Sequence, residues 1–253
     1  MRELVEIYEW GGLAAARFSR GSVVLDARTK SVFLLEEPAA LALDVLADRG
    51  RWSSHAATAI YPRVREALPT IRRELIGESV LAPGEGITLE DASGRPLLRR
   101  IAEPMHWRRD SQDRPDPGFV ELSGAMVTMA DGALFIVGGQ RRDLGSLARE
   151  LAEPRAVAVV HDAVVLQSAR SQASSPVREV WSLGASSTNN LVVARLGHAS
   201  ALLALLEAAK RRPTASDLTT LASTCVLIPQ FRATVPGGAH ALAATLRCYG
   251  ARR

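Results

Sequence analysis

Residues 21–50 read GSVVLDARTKSVFLLEEPAALALDVLADRG, and the first part of that stretch sets the N-terminal fold. Two short β-branched or apolar runs, SVVLD at 22–26 and SVFLL at 31–35, flank Ala27-Arg28-Thr29-Lys30. That spacing predicts two antiparallel strands joined by a four-residue loop. Side chains alternate along a strand, so Val32 and Leu34 face one side and Phe33 and Leu35 the other. Pro38 stands where the first turn of a helix tolerates a residue without an N–H, and Leu41/Val45 and Ala42/Leu46 then recur at helical spacing as far as Gly50. A second helix follows a cap at Ser53 or Ser54, and Val64, Leu68, Ile71 and Leu75 keep helical spacing beyond it. Pro69 interrupts that pattern and predicts two helices, one ending before it and one beginning with Pro69 in its first turn. Val80-Leu81 reads as a closing strand.

Working outward, 253 residues correspond to about 1.7 domains at a typical domain size. With 47% hydrophobic and 23% charged residues the chain can bury a real core, which excludes global disorder. A net charge of +4 is too small to announce a nucleic-acid partner. The two cysteines, Cys225 and Cys248, form no disulfide framework or CxxC motif, and the N-terminus carries Glu3, Glu6 and Glu9 where a signal peptide needs an apolar run. No apolar run is long enough for a membrane span. The expectation is a cytoplasmic protein with no membrane partner.

Residues 83–118 contain five of the 13 prolines amid dense mixed charge. This is linker composition. It divides the chain into a first domain at 1–82, a linker at 83–118 and a second domain at 119–253, although 87–89 and 97–101 are apolar enough to form short strands.

The hairpin, three helices and closing strand suggest a winged-helix unit. The stretch at 21–50, with the helical segment ending RRELIGESVL, resembles the PqqD-like domains known as RiPP recognition elements. That resemblance implies binding of the leader of a ribosomally made precursor peptide as an added strand beside the third strand, with the third helix as the other wall. The residues it points to are Ser31, Val32, Phe33, Leu34 and Leu35 on the strand and Arg65, Leu68, Arg72 and Leu75 on the helix. Arg65, Arg72 and Arg73 suit acidic leader residues. The plain alternative is that the apolar strand residues are core and the arginines a solvated helix face.

From Phe119 onward the pattern becomes α/β. Residues 125–129 and 133–137 read as a hairpin turning at Asp131-Gly132, and the second strand runs into GGQRRDLGS at 138–146 and a helix at 147–153. Strand, glycine-containing loop, helix and a strand bearing an acid form the context of a phosphate-binding loop. The chemistry of such a loop is missing. With Gly138 as the first glycine and Gly139 beside it, Asp143 falls on the second glycine position, Leu144 on the lysine and Gly145, followed by Ser146, on the hydroxyl residue. Asp143 would also place a carboxylate where a phosphate should sit.

The order of segments resembles the HPr kinase/phosphorylase family. Of the acidic pair that precedes its VVL strand only Asp162 matches, since His161 replaces the first acid, and Ser123-Gly124 stands for the family's histidine-glycine. The segments at 191–206 and 221–231, with the final helix, resemble the family's later strands and helices. The implied fold is α+β: a winged-helix, PqqD-like domain plus an α/β, truncated P-loop kinase-like domain without kinase chemistry, cofactor or catalytic residue. Phosphoryl transfer depends on positioning and electrostatics, and removing one such group costs on the order of 3 kcal/mol.

The five histidines show no metal-ligand spacing, so no metal is expected. Cys225, in the strand-like 224–228, reads as a buried thiol and not as a nucleophile. The implied function is a non-catalytic leader-binding scaffold or shuttle protein, as in crocagin-type pathways. Its partners would be the precursor peptide, modifying enzymes and a second subunit in a homo- or heterodimer. The other two classes are an atypical serine kinase or tailoring enzyme using Asp162 and His161, and a winged-helix regulator.

Overall fold

The computed structural model describes residues 6–29, 31–48, 61–77, 86–101, 119–129, 132–138, 163–167, 177–184 and 192–234. The chain divides into two compact units, Met1–Trp107 and Arg108–Arg253. It mixes α and β, with two six-stranded sheets and four α-helices among the described residues, which is an α+β arrangement.

In the first unit the chain runs β1 (Glu6–Trp10), β2 (Leu13–Phe18), β3 (Gly21–Asp26), β4 (Ser31–Glu36), α1 (Glu37–Leu46), α2 (Pro62–Ile71), β5 (Ile87–Glu90) and β6 (Pro96–Ile101). The sheet order is β1-β2-β3-β4-β6-β5, and every neighbouring pair is antiparallel. The β3–β4 hairpin has the expected four-residue loop, since Asp26 pairs with Ser31. Asp26 holds that loop: its Oδ1 accepts from the backbone N–H of Arg28 at 2.9 Å, and the Arg28 guanidinium returns to both carboxylate oxygens at 3.0 Å. Ahead of the hairpin, Gly11 and Gly12 both have positive φ, +57° and +83°, as a tight two-residue β-turn requires. They join β1 to β2, two strands that the alanine-rich LAAARF disguises in the sequence.

The structure corrects the sequence reading in two places here. Pro69 does not divide the segment; it lies inside α2, which passes directly into a π-helical turn at Arg72–Ile76. Proline cannot donate to the carbonyl four residues back, and beyond it the turn widens, so that the Gly77 N–H bonds the Arg72 carbonyl five residues back at 2.9 Å. Residues 87–90 and 96–101, inside the stretch assigned to a linker, are strands of the first unit's sheet. The unit is therefore broader than a hairpin with helices. The second helix expected after Ser53 or Ser54 and the closing strand at Val80-Leu81 lie outside the described residues.

One face of this sheet carries the core. Phe33, Leu35 and Leu98 pack with Leu41 and Leu43 of α1 and with Val64, Ala67 and Ile71 of α2. Leu98 sits between Leu35 of β4 and Leu89 of β5, so the apolar row crosses three strands. Val32 and Leu34, on the opposite face, are also buried.

The second unit contains β7 (Phe119–Met129), β8 (Gly132–Gly138), β9 (Ala163–Gln167), β10 (Val177–Gly184), β11 (Val192–Arg195), α3 (His198–Ala208), α4 (Ala215–Leu227) and β12 (Gln230–Thr234). Its sheet order is β11-β12-β10-β8-β7-β9, with β8, β10 and β12 mutually parallel and β7, β9 and β11 each antiparallel to the strand they join. The predicted β7–β8 hairpin is present, with Met129 opposite Gly132.

Residues 224–228, read as strand-like, instead close a helix. Thr214 and Asp217 form a capping box, the Asp217 carboxylate accepting the Thr214 N–H at 2.8 Å, and Leu218, Leu221, Ala222 and Cys225 form the buried stripe. That start and that 3.6-residue period carry the helix through Leu227.

Gly124 is tightly enclosed in the second sheet. A Cβ there would lie 2.5 Å from the Ile136 carbonyl oxygen and 2.5 Å from the buried Phe135 ring. Gly124→Ala is expected to lower stability by about 1–3 kcal/mol, because neither backbone nor a packed ring can give way cheaply. Urea denaturation followed by tryptophan fluorescence, read as a lower midpoint at unchanged m value, checks this.

Candidate functional site

Of the strand residues singled out for peptide binding, Ser31, Val32, Phe33, Leu34 and Leu35 are all buried. They lie on β4, which pairs with β3 on one side and with β6 on the other. Strand addition needs unpaired N–H and C=O groups. Between Val32 and Leu35 the second edge of β4 is already filled by residues 98–101 of the same chain, so the expected edge is not open. The outer strands of this sheet are β1 and β5.

The helix residues separate by exposure. Arg65 and Arg72 are exposed, Leu68 is half-buried, and Leu75 is fully buried in the core. Arg65, Leu68 and Arg72 stand at i, i+3 and i+7, which places them on one face of the helical segment. Arg73, also exposed, is paired with the buried Glu74 at 2.6 Å.

Two arginine contacts fix the ends of that segment against the sheet. At its start the Arg63 Nε donates to Asp91 Oδ2 at 2.6 Å, and Arg63 Nη2 reaches the Pro96 carbonyl at 3.5 Å. At its end the Arg28 guanidinium, already held by Asp26, donates to the Leu75 carbonyl. Asp91 closes the β5–β6 hairpin as well, its Oδ1 accepting the backbone N–H groups of Ser93 and Arg95, each at 2.9 Å. The Arg95 N–H, the Ser93 N–H and the Arg63 guanidinium outweigh the effect of burial and hold the Asp91 carboxyl below the usual range.

The glycine-loop site is described only at its root. Gly138 ends β8 with a φ of +77°, a left-handed turn out of the sheet. Gly139, Asp143, Leu144, Gly145, Ser146, His161 and Asp162 lie outside the described residues. The register nevertheless sets the end of β8 and the start of β9 at the same level on either side of β7. Gly124 faces Val137 across β7–β8 and Ser123 faces Ala163 across β7–β9, so the start of β9, one residue after Asp162, is level with the end of β8. With β7 between them the two strands are roughly 10 Å apart.

A cleft of about 80 Å³ lies between α3 and the α4–β12 connection, lined by Arg195, His198, Cys225 and Gln230 among others. Its only thiol is inert: burial pushes the Cys225 pKa far above its ordinary value, although the Gln230 amide donates to Sγ at 3.3 Å and opposes that rise. No group of three metal-ligating side chains occurs among the described residues, and no helix among them is long and apolar enough to cross a membrane.

Comparison of the chain with protein-family models, with curated proteins and with solved structures finds no match.

The sequence reading missed Arg63, Asp91 and Arg100. Asp91-Ala-Ser-Gly94 was a legible turn signal, an Asx residue followed two positions later by Ser and then Gly. Asp91→Asn is expected to lower the melting temperature at pH 7. A carboxyl held below its unfolded value stabilises the fold above about pH 4 and loses that contribution as pH falls through the lower, folded value. The difference between wild type and D91N, measured by thermal unfolding from pH 7 to pH 3, should therefore shrink toward the acid end.

Proposed function

We propose that this protein recognises the leader segment of a ribosomally made precursor peptide and acts as a non-catalytic scaffold or shuttle for the enzymes that modify it. The first unit would be the PqqD-like recognition element and the second a truncated, degenerate HPr kinase-like domain. The leader would add to the outer edge of β5, next to the helix face that carries Arg65, Leu68 and Arg72.

The observation that carries this reading is the open edge of β5. It pairs only with β6 among the described residues, and Ile87–Glu90 contains none of the Pro or Lys residues that usually blunt an edge. Thr88 and Glu90 are exposed on it, and the exposed Arg99 stands beside Thr88 on β6. At the other end of the sheet β1 bears two acids, Glu6 and Glu9, and so disfavours an acidic peptide more than β5 with Glu90 alone.

The scaffold half rests on the second unit. Its outermost strand β11 is exposed at all four residues, with Val192 at 49% and Val193 at 40%, and Leu227 at 68% is the most exposed large apolar side chain described. Apolar side chains on a strand edge suit a partner enzyme or a second copy. The absence of a loop lysine in the sequence supports a non-catalytic role, because no lysine lies between Lys30 and Lys210.

The test titrates the full chain with a labelled leader peptide taken from a short open reading frame beside the gene. Saturable binding is expected, weakened about tenfold or more by the double variant R65E/R72E, with each reversed charge removing about 1 kcal/mol of attraction. No saturable binding with any neighbouring precursor overturns the reading. Thermal unfolding with millimolar Mg-ATP forms the second arm. A clear rise in melting temperature that D162A abolishes would establish a working nucleotide site and replace the scaffold with an atypical kinase.

A further inference from the structure

Buried charges in the described residues come with partners, with one exception. Asp26 is held by Arg28, Glu74 by Arg73, Asp91 by Arg63, Asp217 by Arg211, and Glu179 accepts from the Trp181 indole. Arg100 is only 3% exposed, yet its Nε meets no hydrogen-bond partner, and no carboxylate among the described residues pairs with its guanidinium. An arginine cannot shed its proton to relieve this, because its charge persists at any ordinary pH. An unpaired buried cation is strongly unfavourable, so residues of this type are normally retained where an anion completes them.

Its placement is specific. Arg100 sits on β6 between Phe33 of β4 and Ile87 of β5, in the row that continues Leu98, Leu35 and Leu89 on the helix-covered face of the sheet. It is thus one strand in from the open edge of β5, at the end of the apolar row.

We propose that the Arg100 guanidinium is the binding site for a single carboxylate of a ligand that enters from the β5 side of the first unit. A carboxylate is favoured over a phosphate because one negative charge neutralises one guanidinium, and two parallel N–H···O bonds satisfy both groups. A phosphate dianion would leave a net negative charge in a low-dielectric interior. The identification of that carboxylate as an acidic side chain of the bound leader rests on the proposed peptide-binding function; the anion site itself does not.

The experiment uses the full chain and propionate, a monocarboxylate, as probe, with sodium chloride at matched ionic strength as reference. About 20 mM propionate is expected to raise the melting temperature by about 2 °C or more in the wild type and in R20Q, a variant of an exposed arginine outside the proposed site, and to leave Arg100→Met unmoved. In a wild-type sample the Arg100 Nε–Hε resonance should shift on the same titration, a reading that needs no variant and stands even where R100M fails to fold. A propionate response absent from the wild type, or retained by R100M, overturns the site. A larger response to inorganic phosphate than to propionate overturns the carboxylate assignment. Leader binding can fail while the propionate response persists, so the two proposals fail separately.

Discussion

The pairing of β4 with β6 governs the first unit. It turns the hairpin strand at Ser31–Glu36 into an interior strand, leaves β5 as the outer strand on that side among the described residues, and draws Leu97, Leu98 and Arg100 into the interior. A strand addition that the hairpin would otherwise accept from another chain is supplied by residues 96–101 of this one. Backbone groups on a strand edge must find partners or water, and a segment tethered through the same chain meets that need at high effective concentration. The same pairing lays the row Leu35, Leu98 and Leu89 under α1 and α2, so the core and the edge are set by one event.

That arrangement is held by short polar contacts at both ends of the α2 segment. Arg63 ties its start to Asp91 and the β5–β6 turn, and Arg28 ties its end to the β3–β4 turn. Each carboxylate involved serves two structures at once, closing its own hairpin by backbone hydrogen bonds and anchoring an arginine that spans to the helix. The exposed face of the segment, with Arg65 and Arg72, is therefore presented in a fixed orientation relative to the sheet. Arg100 differs from these arginines because it is buried where Arg28 and Arg63 are partly exposed, and its Nε has no partner, which is why it points to something outside the described chain.

In the second unit the parallel strands β8, β10 and β12 form the centre of a sheet whose flanks are antiparallel. The strand carrying Gly138 ends at the level where β9 begins, although β7 separates them. Under the proposed kinase-like reading, Leu144 would stand at the lysine position and Asp143 at a glycine position of the loop that follows β8. Fold and chemistry are separable: the sheet is built by its apolar strands, whereas phosphate binding needs a few particular side chains that the packing does not require.

Local pattern was enough for the β3–β4 hairpin, for α1 and for the β7–β8 hairpin, because each joins residues close in sequence whose period or turn chemistry is unambiguous. It was not enough for β1 and β2, whose strand character comes from neighbours and not from alanine, nor for α2, where packing of Val64, Ala67 and Ile71 outweighed the break that Pro69 signals. The composition of 83–118 spoke for a linker, and two of its segments are strands because β4 offered an edge to pair with. Sequence by itself determined which segments are extended or helical where the signal is local, and that the phosphate-loop residues are absent. Only the tertiary structure decided which strands lie outermost among the described residues and which described arginine is buried with its Nε unpartnered. Both depend on pairing between residues some sixty positions apart, such as Leu35 and Leu98, and no local period encodes that.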